Sequence, residues 1–206
     1  MRTLFFVLGF FFLLNLHGQK LVKKAFVNSR TESIQIDSQF CYLIDLGTAK
    51  TNEVKVEADI EGEYSKDLLI TIEDKGTTVL ISAGFQPNFI NPNDKLSAHK
   101  VISIKLNIIL PEYKNVFVYG TNSNISVQGK YENLKVKLSD GRCILDNVIE
   151  RVEVTTQKGD ILLITAKGNI ITESAYGKVV KETIPKGQNQ YILKTVEGNI
   201  NLRKTK

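Results

Sequence analysis

Few side chains in this 206-residue sequence could do chemistry, and their spacing narrows the choice further. Nucleophilic catalysis of the Ser-His-Asp or Cys-His kind needs an imidazole beside its partner. The histidines are His17, inside an apolar N-terminal run, and His99, in a loop beside Lys100. Zinc takes about four nitrogen, sulfur or oxygen ligands, and one remaining histidine with the distant Cys41 and Cys143 does not supply them. Repeat-type calcium sites need a nonapeptide rich in Gly and Asp, which is absent. A glycan-cleaving β-helix would carry carboxylates on successive turns a few ångströms apart. Instead, the positions flanking a recurring glycine read Asp140, Lys158, Tyr176 and Glu197 on one side and Arg142, Asp160, Lys178 and Asn199 on the other. Acids there are matched by bases, as in surface ion pairs of small individual worth. The reading is of a protein that is not an enzyme and holds no cofactor or metal.

The recurring glycine is the organising feature. Gly141, Gly159, Gly177 and Gly198 lie 18, 18 and 21 residues apart, and one further step of 18 back reaches Ser123. Each heads a short apolar run, so there are five copies, the first without its glycine. Seven residues before this position stand Val116, Leu134, Val152, Ile170 and Tyr191; five before it stand Val118, Val136, Val154, Thr172 and Leu193. Two after it stand Ile125, Cys143, Ile161, Val179 and Ile200, and four after it Val127, Leu145, Leu163, Lys181 and Leu202. Polar columns such as Tyr119, Lys137, Thr155, Glu173 and Lys194 alternate with them, which is the period of strands with one buried face. A period near 20 residues marks stacked units, none of which can bury its apolar face alone. The predicted fold is all-β, a β-solenoid or β-helix-like stack with the glycine at a corner of positive φ. The alternative is an antiparallel meander or sandwich in which Asp140-Gly141 is a hairpin turn. Cys143 fills an aliphatic column and Cys41 lies between Phe40 and Tyr42, so both are expected as unpaired buried thiols. Lys181 interrupts its column, and residues 181–190 read as a bulged corner carrying three extra residues.

Ahead of the copies, residues 1–19 join Arg2 to an apolar run ending at Gly18-Gln19, the pattern of a secretory signal peptide. The run is too short to span a membrane, and no other stretch is long enough. Residues 20–206 read as a single all-β domain, with N-terminal strands over 20–110 and the repeats over 111–206. Removing Arg2 leaves 26 Lys and Arg against 22 Asp and Glu, interleaved along the chain; this argues against a nucleic-acid partner. Residues 84–98 form one long non-repetitive loop containing Phe85, Phe89 and Ile90. It either folds its aromatics over an open end of the core or faces a ligand. The C-terminal Arg203-Lys204-Thr205-Lys206 is placed to blunt an exposed strand edge.

Asn52 to Ala58, Leu68 to Ser82, the strand and proline of Ile104 to Pro111, and the turns Gly159-Asp160-Ile161, Gly168-Asn169-Ile170 and Gly198-Asn199-Ile200 together resemble a bacterial family of adhesin-like domains of unknown function, related to auto-transporter adhesin heads. The resemblance covers nearly all of residues 20–206. It implies a β-solenoid-like fold on an exported protein, periplasmic or extracellular.

Three residues after the glycine stand Ser126, Ile144, Leu162, Val180 and Asn201. Alternation turns this column outward, so Ile144, Leu162 and Val180, extended by Ile164, are expected as an apolar stripe. Either the N-terminal strands, Phe40 to Leu46 among them, cover it as a second layer, or it docks a partner. Phe85, Phe89, Ile90, Ile144, Leu162 and Val180 are the candidate interaction surface. The predicted function is an exported adhesin-like or envelope-associated binding protein whose partner is an envelope protein, a glycan or a second copy. The alternative is a carbohydrate-binding or carbohydrate-processing β-helix, with Tyr113, Tyr119, Tyr131 and Tyr176 as stacking faces.

Overall fold

The structure, a computed structural model, describes residues 19–62, 65–90 and 102–205. The leader before Gln19, His99 and the second half of the long loop lie outside the described residues. The described residues are mostly strand, with a 3-10 turn at Ser65–Asp67. In chain order the strands are β1 (Gln19–Phe26), β2 (Ser33–Asp37), β3 (Cys41–Ala49), β4 (Glu53–Gly62), β5 (Leu68–Lys75), β6 (Thr78–Phe85), β7 (Ile102–Pro111) and β8 (Asn115–Asn122). They continue as β9 (Asn124–Asp140), β10 (Cys143–Thr156), β11 (Ile161–Thr165), β12 (Asn169–Ser174), β13 (Val179–Lys181), β14 (Gln190–Thr195) and β15 (Ile200–Lys204).

The strands form two ladders, joined where the long β9 and β10 bend from one to the other. The first runs β1-β4-β7-β3-β9-β10-β11-β15-β13. The second runs β5-β6-β2-β8-β9-β10-β14-β12. Antiparallel pairing is confined to β1, β4, β7, β5 and β6. Within the copies all pairing is parallel. Cys143 lies opposite Ile125 and Ile161, and Val152 opposite Leu134, each an 18-residue step. Asp140-Gly141 is therefore not a hairpin turn, because the strands on either side of it run the same way in β9 and β10.

The inward columns are buried as the alternation requires. Val116, Val118, Val127, Val136, Cys143, Leu145, Val152, Val154, Ile161, Leu163, Tyr191 and Leu193 all have no exposed surface, within one contiguous core. Each fully buried aliphatic contributes roughly 1.5–3 kcal/mol, and no single copy could offset the entropy of ordering itself.

The N-terminal strands do not form a covering layer. They lengthen the two ladders: Ile34 in β2 pairs with Val116, and Ile44 in β3 with Ile125. Ile34, Ile36, Ile44 and Leu46 thus repeat the pattern of Val116, Val118, Ile125 and Val127, with one extra residue between Asp37 and Leu43.

Spatial order departs from chain order at the other end. The fifth copy lies between the third and the fourth, with Tyr191 opposite both Val152 and Ile170, and Ile200 opposite both Ile161 and Val179. Burial explains the choice. The fifth copy fills its columns with Tyr191, Leu193, Ile200 and Leu202, whereas the fourth offers Thr172 and Lys181, which suit an end. Residues 182–189 make the return step, with Ile184 resting on the core and Gly168 N–H donating to the Pro185 carbonyl at 2.9 Å. Lys181 is accordingly the exposed last residue of the end strand β13 rather than the start of a bulged corner. Of the basic C-terminal residues, Arg203 and Lys204 pair with β11 alone, past the end of β13, and the Lys204 N–H donates to Glu182 Oε2 at 2.8 Å.

The glycines are required by contact more than by dihedral angle. Gly141 has φ of 97°, but Gly159, Gly177 and Gly198 do not lie in the positive region, contrary to the corner expected from sequence. A Cβ on Gly159 would stand 1.7 Å from the Gly141 carbonyl oxygen, one on Gly198 2.2 Å from that of Gly159, and one on Gly177 1.8 Å from that of Gly198. Ser123 fits at the head of the column because its hydroxyl has partners in the preceding unit: Ser38 Oγ at 2.9 Å and the Cys41 carbonyl at 2.7 Å.

Gly159→Ala should therefore cost well over the ~1 kcal/mol of an ordinary exposed substitution, since a backbone carbonyl has to move. Gly84→Ala, where a Cβ meets nothing within 4 Å, should leave stability within about 0.5 kcal/mol. Urea unfolding of the two variants checks this, and equal midpoints would refute the contact.

Candidate functional site

The two thiols sit out of reach of solvent. Cys41 and Cys143 are free and buried in the core. Burial pushes both thiols from the ordinary 9.0 up to about 12, helped at Cys41 by the negative charge of Asp37. Neither is a thiolate near neutral pH. Among the described residues no three His, Cys, Asp or Glu side chains gather into a metal-sized cluster.

The polar columns beside the glycines serve the corners. Asp160 Oδ1 accepts the Asn199 N–H at 2.7 Å, Asn199 Oδ1 accepts the Lys178 N–H at 2.9 Å, and Asn124 Oδ1 accepts the Arg142 N–H at 3.0 Å. Each side chain caps an amide of the neighbouring unit, which the pattern of alternating charge did not predict. Lys158 and Glu197 do form an ion pair, at 3.9 Å and largely exposed. Such a pair contributes little.

The tyrosines divide by role. Tyr131 is fully buried and donates to the Gln128 carbonyl at 3.1 Å, with burial holding its hydroxyl protonated well above the usual range. Tyr113, Tyr119 and Tyr176 are exposed, but on different parts of the stack: a corner beside Lys130, the outer face of the second ladder, and the corner of the end copy. They form no shared platform.

The expected interaction residues fall in two separate regions. Phe85 stacks on Phe89 with centroids 4.1 Å apart and meets Phe40 edge-on at 5.8 Å. Phe40 and Phe85 both lean on the core, so this aromatic set covers its margin, while Ile90 is exposed. Ile144 and Leu162 lie directly opposite each other on the outer face of the first ladder, partly exposed, with Ile164 beside them. Val180 is on the same row but separated from Leu162 by Asn201, a consequence of the fifth copy's placement. The row continues through Ser126 and Asp45 into the N-terminal strands, and no described segment covers Ile144 or Leu162.

A second surface was not anticipated. At the corner leading from the first ladder into the second, Glu132, Asn133, Glu150, Arg151, Gln188 and Gln190 line a shallow groove of about 320 Å³. Glu150 there has φ of 78° and its N–H donates to Asn189 Oδ1 at 3.2 Å.

A chain of such stacked parallel ladders, with a buried interior and open lateral faces, has counterparts among solved structures. The fold is shared with a candidate cell adhesion protein. That protein, from Clostridium sporogenes, superposes with a TM-score of 0.64 at 13% identity, over 92% of this chain and all of its own. A candidate adhesin from Bacteroides fragilis matches over 91% of this chain and 98% of its own, at 13% identity and a TM-score of 0.36. A candidate lipid-binding protein from Parabacteroides distasonis covers 92% and 98% respectively, at 13% identity and a TM-score of 0.25. At these identities the first match establishes likeness of fold. No family model matches the chain, and no curated protein does.

Burial of the thiols sets a pH dependence. An unfolded thiol ionises near 9, whereas Cys41 and Cys143 in the fold hold their protons to about 12. Between those values the unfolded state binds fewer protons, so stability falls as pH rises, and it is flat with respect to these groups below about pH 9. The raised hydroxyls of Tyr131 and Tyr191 act in the same direction. Urea midpoints should be lower at pH 10.5 than at pH 8, with a smaller difference in Cys143→Ala; identical midpoints would contradict the burial.

Proposed function

We propose that the protein is an exported, non-enzymatic binding module of the cell envelope, a β-solenoid of adhesin-like fold that docks another envelope protein through the outer face of β10 and β11. The observation that carries the reading is the pair Ile144 and Leu162 with Ile164, partly exposed side by side on the outer face of the ladder. Burying such a patch against a partner yields roughly 25 cal/mol per Å² of apolar surface, and a flat parallel ladder pays little conformational entropy to present it.

Export is supported by the sequence before Gln19, a positive residue and an apolar run ending at small and polar residues. The likeness of fold to a candidate cell adhesion protein agrees with a role in binding. The aromatic set around Phe85 and Phe89 belongs to the packing of the core margin in this reading, and Ile90 stands at its exposed limit.

Two measurements test it. Protein recovered from periplasm or medium should begin at about Gln19 or Lys20; intact Met1 on cytoplasmic protein would end the export reading. Leu162→Ser should keep the melting temperature within a few degrees while lowering retention of the protein by isolated envelopes. A large fall in melting temperature, or retention equal to the parent's, counts against the docking face.

A further inference from the structure

The groove at the other corner keeps hydrogen-bonding groups that the fold leaves unspent. Glu132, Glu150 and Gln188 occupy that corner on neighbouring units of the stack, and Asn133, Arg151 and Gln190 follow them into the second ladder. Asn133 lies opposite Arg151, and Arg151 opposite Gln190. The groove therefore runs along the stack and across the strands, meeting one such side chain about every 4.8 Å.

At its head the groups are tied together: Asn133 Nδ2 donates to Asn115 Oδ1 at 2.6 Å, and Asn115 Nδ2 to Glu132 Oε2 at 3.2 Å. Further along, the side chains of Glu150, Arg151, Gln188 and Gln190 enter no ion pair and no hydrogen bond among the described residues. This is not the habit of the surrounding face. On the same ladder Lys135 pairs with Glu153 at 2.9 Å, and Lys194 with Glu173 at 2.8 Å. Oppositely charged Glu150 and Arg151 are consecutive, yet among the described residues no ion pair joins them. Glu150 is also held at a positive φ that side-chain-bearing residues rarely adopt, a cost that the fold tolerates at this corner.

The composition of the groove selects its ligand. Two carboxylates against one guanidinium disfavour phosphate, sulfate and uronate. Carboxylate and amide oxygens accept from hydroxyl groups, while guanidinium and amide nitrogens donate to them, which is what a run of vicinal diols requires. Tyr113 stands at the same corner one unit earlier, outside the groove lining, its N–H donating to the Lys130 carbonyl at 3.1 Å and Lys130 Nζ lying over its ring at 6.0 Å.

We propose that this groove binds a neutral glycan laid along the stack, successive sugar units being met by successive units of the fold. The site is separate from Ile144 and Leu162, and its fate does not depend on the docking face proposed there.

The test is titration of the ¹⁵N-labelled protein with maltohexaose, cellohexaose, mannohexaose, xylohexaose and chitohexaose, with an oligo-uronate hexamer as the acidic comparison. The signals followed are Arg151 Nε–H and the side-chain amides of Asn133, Gln188 and Gln190. At least one neutral hexasaccharide should shift these signals at millimolar concentration. Glu150→Ala and Arg151→Ala should each weaken that binding about tenfold at an unchanged melting temperature, and Leu162→Ser should leave it intact. The proposal is overturned if none of the neutral hexasaccharides shifts these signals, if the uronate binds better, or if the two groove variants bind as the parent does.

Discussion

The structure depends on how closely the backbone of one unit can approach the next at a single corner. Ser123, Gly141, Gly159, Gly198 and Gly177 stack there with carbonyl oxygens lodged where side chains would be. Nothing larger than hydrogen fits at the last four, so the corner fixes the register of everything attached to it. Hydroxyl groups hold the contact in place: Thr156 Oγ1 donates to the Gly159 carbonyl at 2.6 Å, and Ser174 Oγ to the Gly198 carbonyl at 2.9 Å. Once that register is set, like columns fall on like. Val152 meets Leu134 and Tyr191, Ile161 meets Cys143 and Ile200. The core is then a stack of equivalent layers, and the polar side chains of the corner cap each other's amides.

This constraint also explains how far the fold could be read from sequence. Alternation identified the inward columns correctly, from Val116 and Val118 through to Leu202, because a strand with one buried face must alternate. The recurring glycine is plain in the sequence, but a positive φ accounts for it only at Gly141. A local pattern cannot report a contact made with the next unit. For the same cause, β2 and β3 were read as separate strands: their columns match those of β8 and β9, but the extra residue before Leu43 and the missing glycine hid the repeat. The exchange of the fourth and fifth copies was legible in principle. Thr172 and Lys181 mark a unit fit for an end, and the 21-residue step supplies the length to come back.

The surfaces were legible only in part. Parity alone put Ile144 and Leu162 on the outside, and they are there, side by side. Val180 was grouped with them because chain order was taken for spatial order, and Asn201 now stands between. The polar groove left no trace in the sequence. Its residues come from corners of unequal length, Gln188 from the long return segment, so no period links them. Polar corner residues are also what any solvated turn would show; only the pairing of neighbours such as Lys135 with Glu153 makes the unpaired ones stand out.

The interleaved end has a consequence for the order of assembly. In a stack laid down in chain sequence, each new unit adds to the edge left by the last, and the growing end is always the newest. Here the strands that follow the third unit in space come after the fourth in the chain: β14 and β15 must slot into a gap bounded by β10 and β11 on one side and by β12 and β13 on the other. Until they emerge, the third unit presents an open edge and the fourth has nothing to pair with. The β14–β15 segment thus acts as a keystone. For a chain that leaves its ribosome or its export channel N-terminus first, the stack stays open on that side until β14 and β15 have emerged, and closure joins residues 39 apart in a single step.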